Sequence, residues 1–374
     1  MEKILFILGT RPEAIKLCPL ILHLQKHYGQ FEAKVCATGQ HRELLNGVLE
    51  AFGVVPDFNL EVMTAGQTLF QSTTRILGVL ESVLKDTVPS MVIVQGDTTT
   101  TFCGALAAFY RGVPVGHVEA GLRTGDMRQP FPEEMNRVLT TRLTSLHFAA
   151  TEGARQNLIR EGVAESSIEI TGNPGIDAVL QMKERLEKGL WQPAPDWPWL
   201  DNSRRLILVT AHRRESFGEG FEQICMALKR LAKREDVQIV YPVHPNPKVR
   251  EAIERHLGSS SGVILLKPLD YVPFVDLMRR AAVLLTDSGG IQEEGPALGK
   301  PVLVMREKTE RPEALEAGTA QLAGADADRI VESVIHLLDD PADYQRRSAV
   351  HYAYGDGRAS ERIAEGIQRY LKGG

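Results

Sequence analysis

Short apolar runs alternate with longer amphipathic segments along nearly the whole chain. In the first part of the chain, these runs predict the strands Ile4–Leu8, Lys34–Thr38, Met91–Val94, Val115–Val118, His147–Ala150 and Ile168–Thr171. A second series predicts the strands Leu206–Thr210, Gln238–Tyr241, Val263–Leu266, Val283–Thr286 and Val302–Met305. Strands that alternate with helices form parallel sheets with helices on both faces. The pattern therefore predicts two α/β units of similar build.

The segment 284–294, Leu-Leu-Thr-Asp-Ser-Gly-Gly-Ile-Gln-Glu-Glu, predicts a strand, a glycine turn and a helix whose first turn carries Glu293 and Glu294. Such a turn exposes backbone N–H groups at the positive end of a helix, and its two glycines let a phosphate approach the main chain. A carboxylate one turn further on suits ribose hydroxyls. The alternative is an ordinary βα turn, with Ser288 as N-cap and the two acids complementing the helix dipole.

The first predicted strand is followed by two cations, Arg11 and Lys16, at the start of a helix. They suit a phosphate, or alternatively they pair with Glu13 or neighbouring acids. The chain has neither a Gly-x-Gly-x-x-Gly nor a Gly-x-x-x-x-Gly-Lys sequence, so the usual dinucleotide and triphosphate fingerprints are absent.

Carboxylates follow several strands of the first unit. Asp97 follows one strand directly, Glu119 ends the next, and Glu133 opens a later helix. Each has a plain structural alternative: Asp97 as a helix N-cap, Glu119 in a salt bridge to Arg123, and Glu133 as a first-turn acid. Because successive parallel strands end at one edge of a sheet, we expect the three carboxylates to lie near one another, and capping alone explains such convergence less easily.

Two histidines follow strands of the second unit. His212 is a candidate phosphate donor or general acid, and His244 ends the next strand in a proline-rich loop. For a lone histidine in such a loop, a structural hydrogen bond is the alternative. Arg311 either contacts a ligand or pairs with Glu307 or Glu313, and we favour pairing.

Composition narrows the functional classes. The chain has 374 residues, 43% of them hydrophobic and 24% charged, as expected for a globular protein of two domains. No apolar run reaches the length of a membrane span, and the net charge of −5 without a basic block argues against a general nucleic-acid binder. The four cysteines lack a Cys-x-x-Cys pair, which predicts buried thiols rather than disulfides or zinc. We expect a cytoplasmic protein that binds neither membranes nor nucleic acid.

Eight segments, taken together and in this order, resemble the non-hydrolysing UDP-N-acetylglucosamine 2-epimerases along essentially the whole chain. They are GTRPEAIK (9–16), GDTTTT (96–101), GHVEAGLRTGD (116–126), PEEMNR (132–137), AHRRESFG (211–218), LTDSGGIQEE (285–294), TERPE (309–313) and YGDGRASERI (354–363). One such motif would be weak evidence, but eight in sequence are highly specific.

The resemblance implies an α/β, GT-B-like fold of two Rossmann-like domains with parallel sheets facing a central cleft. We expect the first domain at residues 1–172, joined by a C-terminal helix at about 356–374, and the UDP-binding domain at residues 173–355. The resemblance also implies a homodimer that interconverts UDP-GlcNAc and UDP-ManNAc for cell-surface polysaccharides, with no NAD, other cofactor or metal.

The resemblance assigns roles to individual residues. Since the hydrogen at C2 is not beside a carbonyl, the expected route is elimination of UDP to a 2-acetamidoglucal and readdition of UDP. The acid/base group is Asp97, Glu119 and Glu133, without an order of action. Candidates for the diphosphate or leaving group are Arg11, Lys16 and His212, and Arg137 is a further substrate-binding candidate. The residues expected to contact phosphate and ribose are Ser288, Gly289, Gly290 and Glu294.

The chain departs from common forms of the motifs at a few positions. Gln95 stands where many relatives have His, and Gly295 where Ala often follows the two glutamates. Gln40, Arg213 and His244 match a regulatory site of some relatives, whereas Glu43 and Gly66 stand where those relatives have Gln and Arg. This leaves open whether substrate also acts as an activator. The rival functions are a hydrolysing epimerase, a GT-B glycosyltransferase and a catalytically silent UDP-sugar binder.

Overall fold

The structure is a computed structural model that describes residues 1–39, 42–62, 66–192, 194–211, 219–243, 247–258 and 262–373. The chain forms two compact units: unit 1 is residues 1–178 with 354–374, and unit 2 is residues 179–353. The boundary expected from the sequence, between residues 172 and 173, lies a few residues before this division.

Unit 1 contains the following elements: β1 (Glu2–Leu8), α1 (Arg11–His27), β2 (Phe31–Ala37), α2 (Arg42–Phe52), β3 (Phe58–Asn59), α3 (Leu69–Thr87), β4 (Met91–Gln95), α4 (Thr99–Tyr110), β5 (Val115–Ala120), α5 (Glu133–Leu143), β6 (Leu146–Ala149), α6 (Glu152–Arg160), a 3-10 turn (Glu165–Ser167) and β7 (Ile168–Ile170). The division between the units falls within α7 (Pro174–Glu187), and the last helix of the chain, α15 (Ala359–Gly373), belongs to unit 1.

Unit 2 continues with β8 (Arg205–Thr210), α8 (Glu219–Leu231), β9 (Val237–Pro242), α9 (Pro247–Leu257), β10 (Val263–Leu266), α10 (Tyr271–Arg280), β11 (Val283–Thr286), α11 (Gly289–Ala297), β12 (Val302–Val304), α12 (Pro312–Glu316), β13 (Ala320–Leu322), α13 (Ala327–Asp339) and α14 (Pro341–Arg347).

Both sheets are parallel and doubly wound. Unit 1 has the strand order β3-β2-β1-β4-β5-β6-β7, and unit 2 has β10-β9-β8-β11-β12-β13. In each sheet the order reverses beside the first strand, between β1 and β4 in unit 1 and between β8 and β11 in unit 2. Loops at the carboxyl ends of strands beside such a switch point commonly bind ligands in open α/β sheets.

The strands form the cores because they are apolar on both faces, as strands covered by helices must be. In β4 every residue is buried, and in β1 the last five are. The predicted strands are confirmed, with ends that differ by three residues or fewer. The sequence pattern missed β3 and β13, which are two and three residues long. The two parallel-sheet α/β units confirm the predicted Rossmann-like domains.

The side chains of all four cysteines are buried as free thiols, as predicted. Burial raises the pKa of each thiol to about 12. Within the described residues, no helix has both the length and the apolar character needed to span a bilayer.

Candidate functional site

The candidate residues of unit 1 lie at the switch point of its sheet. Arg11 is the first residue of α1, which follows β1, and Asp97 follows β4. Glu119 lies near the end of β5, the strand next to β4. The carboxyl ends of three neighbouring strands therefore carry cations and carboxylates, as the sequence pattern predicted.

Glu119 is held by side chains from α1, from β4 and from the segment between β7 and α7. The Lys16 ammonium donates to both carboxylate oxygens, at 2.6 Å to Oε1 and 2.7 Å to Oε2. Gln95 Nε2 donates to Oε2, and Asn173 Nδ2 donates to Oε1 at 2.9 Å. The pairing with Arg123 that the sequence suggested does not occur, because Arg123 binds Glu161 at 2.7 and 2.9 Å instead.

The backbone of Glu119 is strained. Its φ of 64° lies in the left-handed region, and the register of β5 against β6 shifts between Val118 and Ala120, as at a β-bulge. Non-glycine residues persist in this conformation only where their surroundings over-determine it, often at functional sites. The bulge gives Glu119 a partly exposed position in a strand that is otherwise buried.

Asp97 pairs with Arg137 of α5. The main-chain carbonyl of Asp97 accepts a hydrogen bond from Asn136 Nδ2 at 2.9 Å. Asp97 is not the N-cap of the following helix, because Thr98 caps α4 by accepting from the Thr101 N–H at 3.1 Å. Its carboxylate is therefore not used for capping, contrary to the structural alternative.

Arg137 connects the two carboxylates electrostatically. Burial alone would lower the pKa of Arg137, but the surrounding carboxylates, those of Asp97 and Glu119 among them, raise it. The arginine therefore stays charged between acidic groups. Asp97 and Glu119 lie close enough to act on the same cation.

Glu133 and Glu134 open α5 and have different surroundings. Glu134 is buried, accepts from Arg137 at 2.9 Å and accepts the main-chain N–H groups of Thr124 and Gly125 at 3.0 and 3.1 Å. Glu133 is partly exposed, and among the described residues its side chain has no hydrogen bond or ion pair. Glu134 thus holds the loop after β5, while the side chain of Glu133 has no such structural role among the described residues.

Glu13 joins the loops that follow β1 and β4. Its buried carboxylate accepts the N–H groups of Gly9 and Thr10 at 2.9 and 2.6 Å and the hydroxyls of Thr98 and Thr101 at 2.7 and 3.1 Å. Burial raises the pKa of Glu13, although these hydrogen bonds act in the opposite sense. Glu13 therefore ties the segment before α1 to the loop after β4.

His117 holds the loop at Gly96 and Asp97 by a hydrogen bond. Its Nε2 lies 2.7 Å from the Gly96 carbonyl and donates to it. Burial lowers the pKa of His117 to about 3, so the ring is neutral at physiological pH. It therefore fixes the loop without adding a charge beside Glu119.

In unit 2, the predicted glycine turn leads into α11. The helix begins at Gly289, so Glu293 and Glu294 lie in its second turn rather than in the first. Ser288 occupies the N-cap position, but its side chain makes no capping hydrogen bond. Its hydroxyl is therefore not used to cap the helix.

Arg311 lies against the start of α11. A Cβ at Gly289 would lie only 2.6 Å from Arg311 Cζ, so the glycine makes room for the guanidinium. Arg311 pairs with Glu293 at 2.7 Å and Glu310 at 2.9 Å, so the ion pairing favoured from the sequence is present, with two partners that the sequence had not suggested. The main-chain N–H groups at the start of a helix favour an anion there.

The structure brings Lys16, Asp97, Glu119 and Arg137 together, and it places Arg11 and Glu133 on the first turns of α1 and α5. Ser288, Gly289, Gly290 and Glu294 form one turn and helix start in unit 2. His212 and the regulatory candidates Gln40, Arg213 and His244 lie outside the described residues. Within the described part of the chain, no three His, Cys, Asp or Glu side chains are grouped as metal ligands would be.

The sequence pattern missed Gln95, Asn173 and Glu13. A polar residue that ends an otherwise apolar strand, as Gln95 does, is a usable signal. Asn173 lies in the Thr-Gly-Asn-Pro segment after β7, where the signal resembles that of any turn. Glu13, which the sequence offered only as a partner for Arg11 or Lys16, forms a capping box with Thr10.

Comparisons with known proteins identify the family of this chain. The family model described as UDP-N-acetylglucosamine 2-epimerase matches residues 23–368. The UDP-N-acetylglucosamine 2-epimerase of Escherichia coli K12 is 55% identical over 370 residues, which is 98% of each chain.

Solved structures give the same result. The Neisseria meningitidis UDP-GlcNAc 2-epimerase bound to UDP-GlcNAc is 46% identical, with a TM-score of 0.92 over 98% of this chain and 100% of that one. The Methanocaldococcus jannaschii enzyme in complex with UDP-GlcNAc and UDP is 32% identical, with a TM-score of 0.82 over 98% and 99%. The predicted GT-B-like α/β fold class is thereby confirmed. The chain belongs to the UDP-N-acetylglucosamine 2-epimerase family.

Proposed function

We propose that this protein interconverts UDP-N-acetylglucosamine and UDP-N-acetylmannosamine by eliminating UDP and adding it back through a 2-acetamidoglucal. The observation that carries the proposal is the pairing of two carboxylates, Glu119 with Lys16 and Asp97 with Arg137, at the switch point of unit 1. The names of the relatives support the substrate, since one solved relative is described as bound to UDP-GlcNAc.

The reaction balances without an oxidant or a reductant. A base takes the C2 proton while the bond from C1 to the diphosphate oxygen breaks, and the electron pair forms the C1–C2 double bond. UDP leaves with the charge. In the return step, a proton is delivered to the opposite face of C2, and the diphosphate oxygen forms its bond to C1 again.

Asp97, Glu119 and Glu133 supply the acid/base groups in this proposal. Two faces of C2 must be served, so at least two proton carriers are needed. Glu119 is held in a fixed orientation by its donors, and Asp97 is held by Arg137.

Cations stabilise the diphosphate as it leaves and returns. We assign this task to Arg11, Lys16 and His212. Lys16 supports the assignment because it lies beside Glu119, where a proton carrier and a leaving group would meet. Arg137 is assigned to substrate binding through its position between the carboxylates.

We assign the binding of the nucleotide part of the substrate to unit 2. We propose that Ser288, Gly289 and Gly290 bind phosphate through main-chain N–H groups, and that Glu294 binds the ribose hydroxyls. The absence of a side-chain cap from Ser288 supports an anion at this helix start.

We also propose a homodimer. Unit 1 exposes large apolar side chains, Phe70 on α3 and Phe109 and Tyr110 on α4, which suit a protein interface. Light scattering at micromolar concentration should give twice the chain mass, and a single chain mass would contradict the proposal. The cytoplasmic location and the regulatory role of Gln40, Arg213 and His244 stay predictions.

Incubation with UDP-N-acetylglucosamine in deuterium oxide, followed by NMR, tests the function. We expect UDP-N-acetylmannosamine with deuterium at C2, and deuterium at C2 of the substrate that is recovered. Free N-acetylmannosamine as the sole product would instead indicate a hydrolysing enzyme. Turnover only with an added acceptor would indicate a glycosyltransferase, and binding without deuterium incorporation a silent binder.

A further inference from the structure

We propose that Gln95 and Asn173 are positioning residues that hold the Glu119 carboxylate in the orientation needed for proton transfer. The role rests on the proposed function, because it takes Glu119 as one of the groups that move the C2 proton. The sequence motifs gave neither residue a role in the site.

Each of the two amides donates to a different oxygen of the Glu119 carboxylate. Gln95 Nε2 donates to Oε2, while Asn173 Nδ2 donates to Oε1 at 2.9 Å. The Lys16 ammonium lies 2.6 and 2.7 Å from the two oxygens. Rotation of the carboxylate about its last bond would break at least one of these hydrogen bonds, so the amides define its plane.

The orientation of the Asn173 amide is itself fixed. Asn173 Oδ1 accepts the Gly175 N–H at 3.0 Å, which turns the NH₂ group toward Glu119. The main-chain N–H of Asn173 donates to the Tyr354 carbonyl at 2.6 Å. Gln95 is the buried last residue of β4, and its main-chain carbonyl accepts a hydrogen bond from the Thr101 hydroxyl at 2.6 Å. The main chain of both donors is therefore held by a hydrogen bond to another segment.

The main chain of Glu119 needs such support. With φ at 64° in a β-bulge, it is held in a strained conformation that relaxes unless neighbours oppose it. The hydrogen bonds to both carboxylate oxygens of Glu119 oppose this relaxation. The carboxylate is thus fixed from its outer end as well as from the strand.

The neutral charge of the two amides also matters. Glu119 already faces the cations Lys16 from α1 and Arg137 from α5, while His117 on its own strand is neutral. A third cation would hold the carboxylate ionised and oppose proton uptake. Amides fix its geometry at every pH and add no charge, which suits a group that must both accept and release a proton.

The test uses the near-isosteric substitutions Gln95→Glu and Asn173→Asp, each of which replaces the donating NH₂ by a carboxylate oxygen. With UDP-N-acetylglucosamine as substrate, we expect kcat at about pH 8 to fall about 10- to 100-fold while KM changes less than about threefold. Below about pH 6, one proton shared by the two carboxylates restores the hydrogen bond, so the rate relative to wild type should rise about tenfold.

Two further variants separate positioning from general damage. Gln95→Leu removes the donor without adding a titrating group, so its kcat should fall while its pH profile keeps the wild-type shape. Gln238→Glu is the matched control, because Gln238 is a buried strand residue of unit 2 that donates to the Trp199 carbonyl at 2.8 Å. It should leave kcat and the pH profile unchanged.

The outcomes can be told apart. If wild-type protein does not exchange deuterium into C2, the proposed function fails, whatever the variants do. If wild type turns over but Gln95→Glu and Asn173→Asp stay within about twofold of it, the positioning role is overturned. It is also overturned if both variants are slowed but their pH profiles run parallel to that of Gln95→Leu.

Discussion

Lys16 and Glu119 form an ion pair across 103 positions of the sequence, with the ammonium 2.6 Å from one carboxylate oxygen and 2.7 Å from the other. The pair joins the first helix of unit 1 to the bulge at the end of β5. Both side chains are mostly buried. A cation proposed for the leaving group and a carboxylate proposed for the proton are thus already in contact.

Breaking this pair from one side should cost stability. Lys16→Met leaves a mostly buried carboxylate without its ammonium, so we expect the free energy of unfolding to fall by about 2 kcal/mol. Adding Glu119→Gln removes the unpaired charge, and the double variant should lose less than the sum of the single losses. Urea unfolding of the four proteins measures the coupling, and additive losses would show that the pair contributes none.

Removing the charge of either paired carboxylate should stop proton transfer without unfolding the protein. We expect Asp97→Asn and Glu119→Gln to reduce the rate of deuterium exchange into C2 by about 10²-fold or more. Circular dichroism checks that each variant is folded. Near-normal exchange rates in both would remove these residues from the acid/base group.

Glu13 should make the stability depend on pH in an unusual sense for a carboxylate. Since burial raises the pKa of Glu13 above its unfolded value, its contribution is present below the unfolded pKa and is lost as pH rises through the folded pKa. Glu13→Gln does not titrate. Wild type should therefore be more stable relative to Glu13→Gln at about pH 4 than at about pH 8. Urea unfolding at both pH values measures this, and a difference that grows with pH would contradict it.

Val88 offers a stabilising substitution. It ends α3 with φ at 46°, a left-handed conformation that is costly for a β-branched side chain, and its side chain is 73% exposed. We expect Val88→Gly to raise the free energy of unfolding by about 1 kcal/mol. Val55→Gly is the control, because Val55 is 83% exposed without positive φ and should gain nothing. Equal effects of the two substitutions would argue against strain at Val88.

The architecture could be predicted because buried parallel strands leave a local signal, a short apolar run between amphipathic segments. β3 and β13 were missed because two or three residues are too few to form such a run. The edge of the sheet was predictable for the same reason, since strand ends fix where Asp97 and Glu119 must lie.

The partners within the site could not be predicted. The sequence suggested Arg123 for Glu119 because spacing shows only near neighbours, but the partner is Lys16, far away along the chain. Asn173 donates to Glu119 from a turn after β7, again without a local signal. Such contacts depend on how loops of different strands are brought together, which only the folded sheet determines.

The adjacent residues Glu133 and Glu134 allow a role in proton transfer to be distinguished from a role in stability. Glu134 is buried and binds Arg137 at 2.9 Å, so Glu134→Gln should lower the free energy of unfolding by about 2 kcal/mol. Glu133 is partly exposed, so Glu133→Gln should change stability by less than about 0.5 kcal/mol. If Glu133 carries a proton, the same substitution should still slow deuterium exchange into C2 by about 10²-fold. Unfolding and exchange measured on both variants decide the matter: normal exchange in Glu133→Gln would leave Asp97 and Glu119 as the proton carriers.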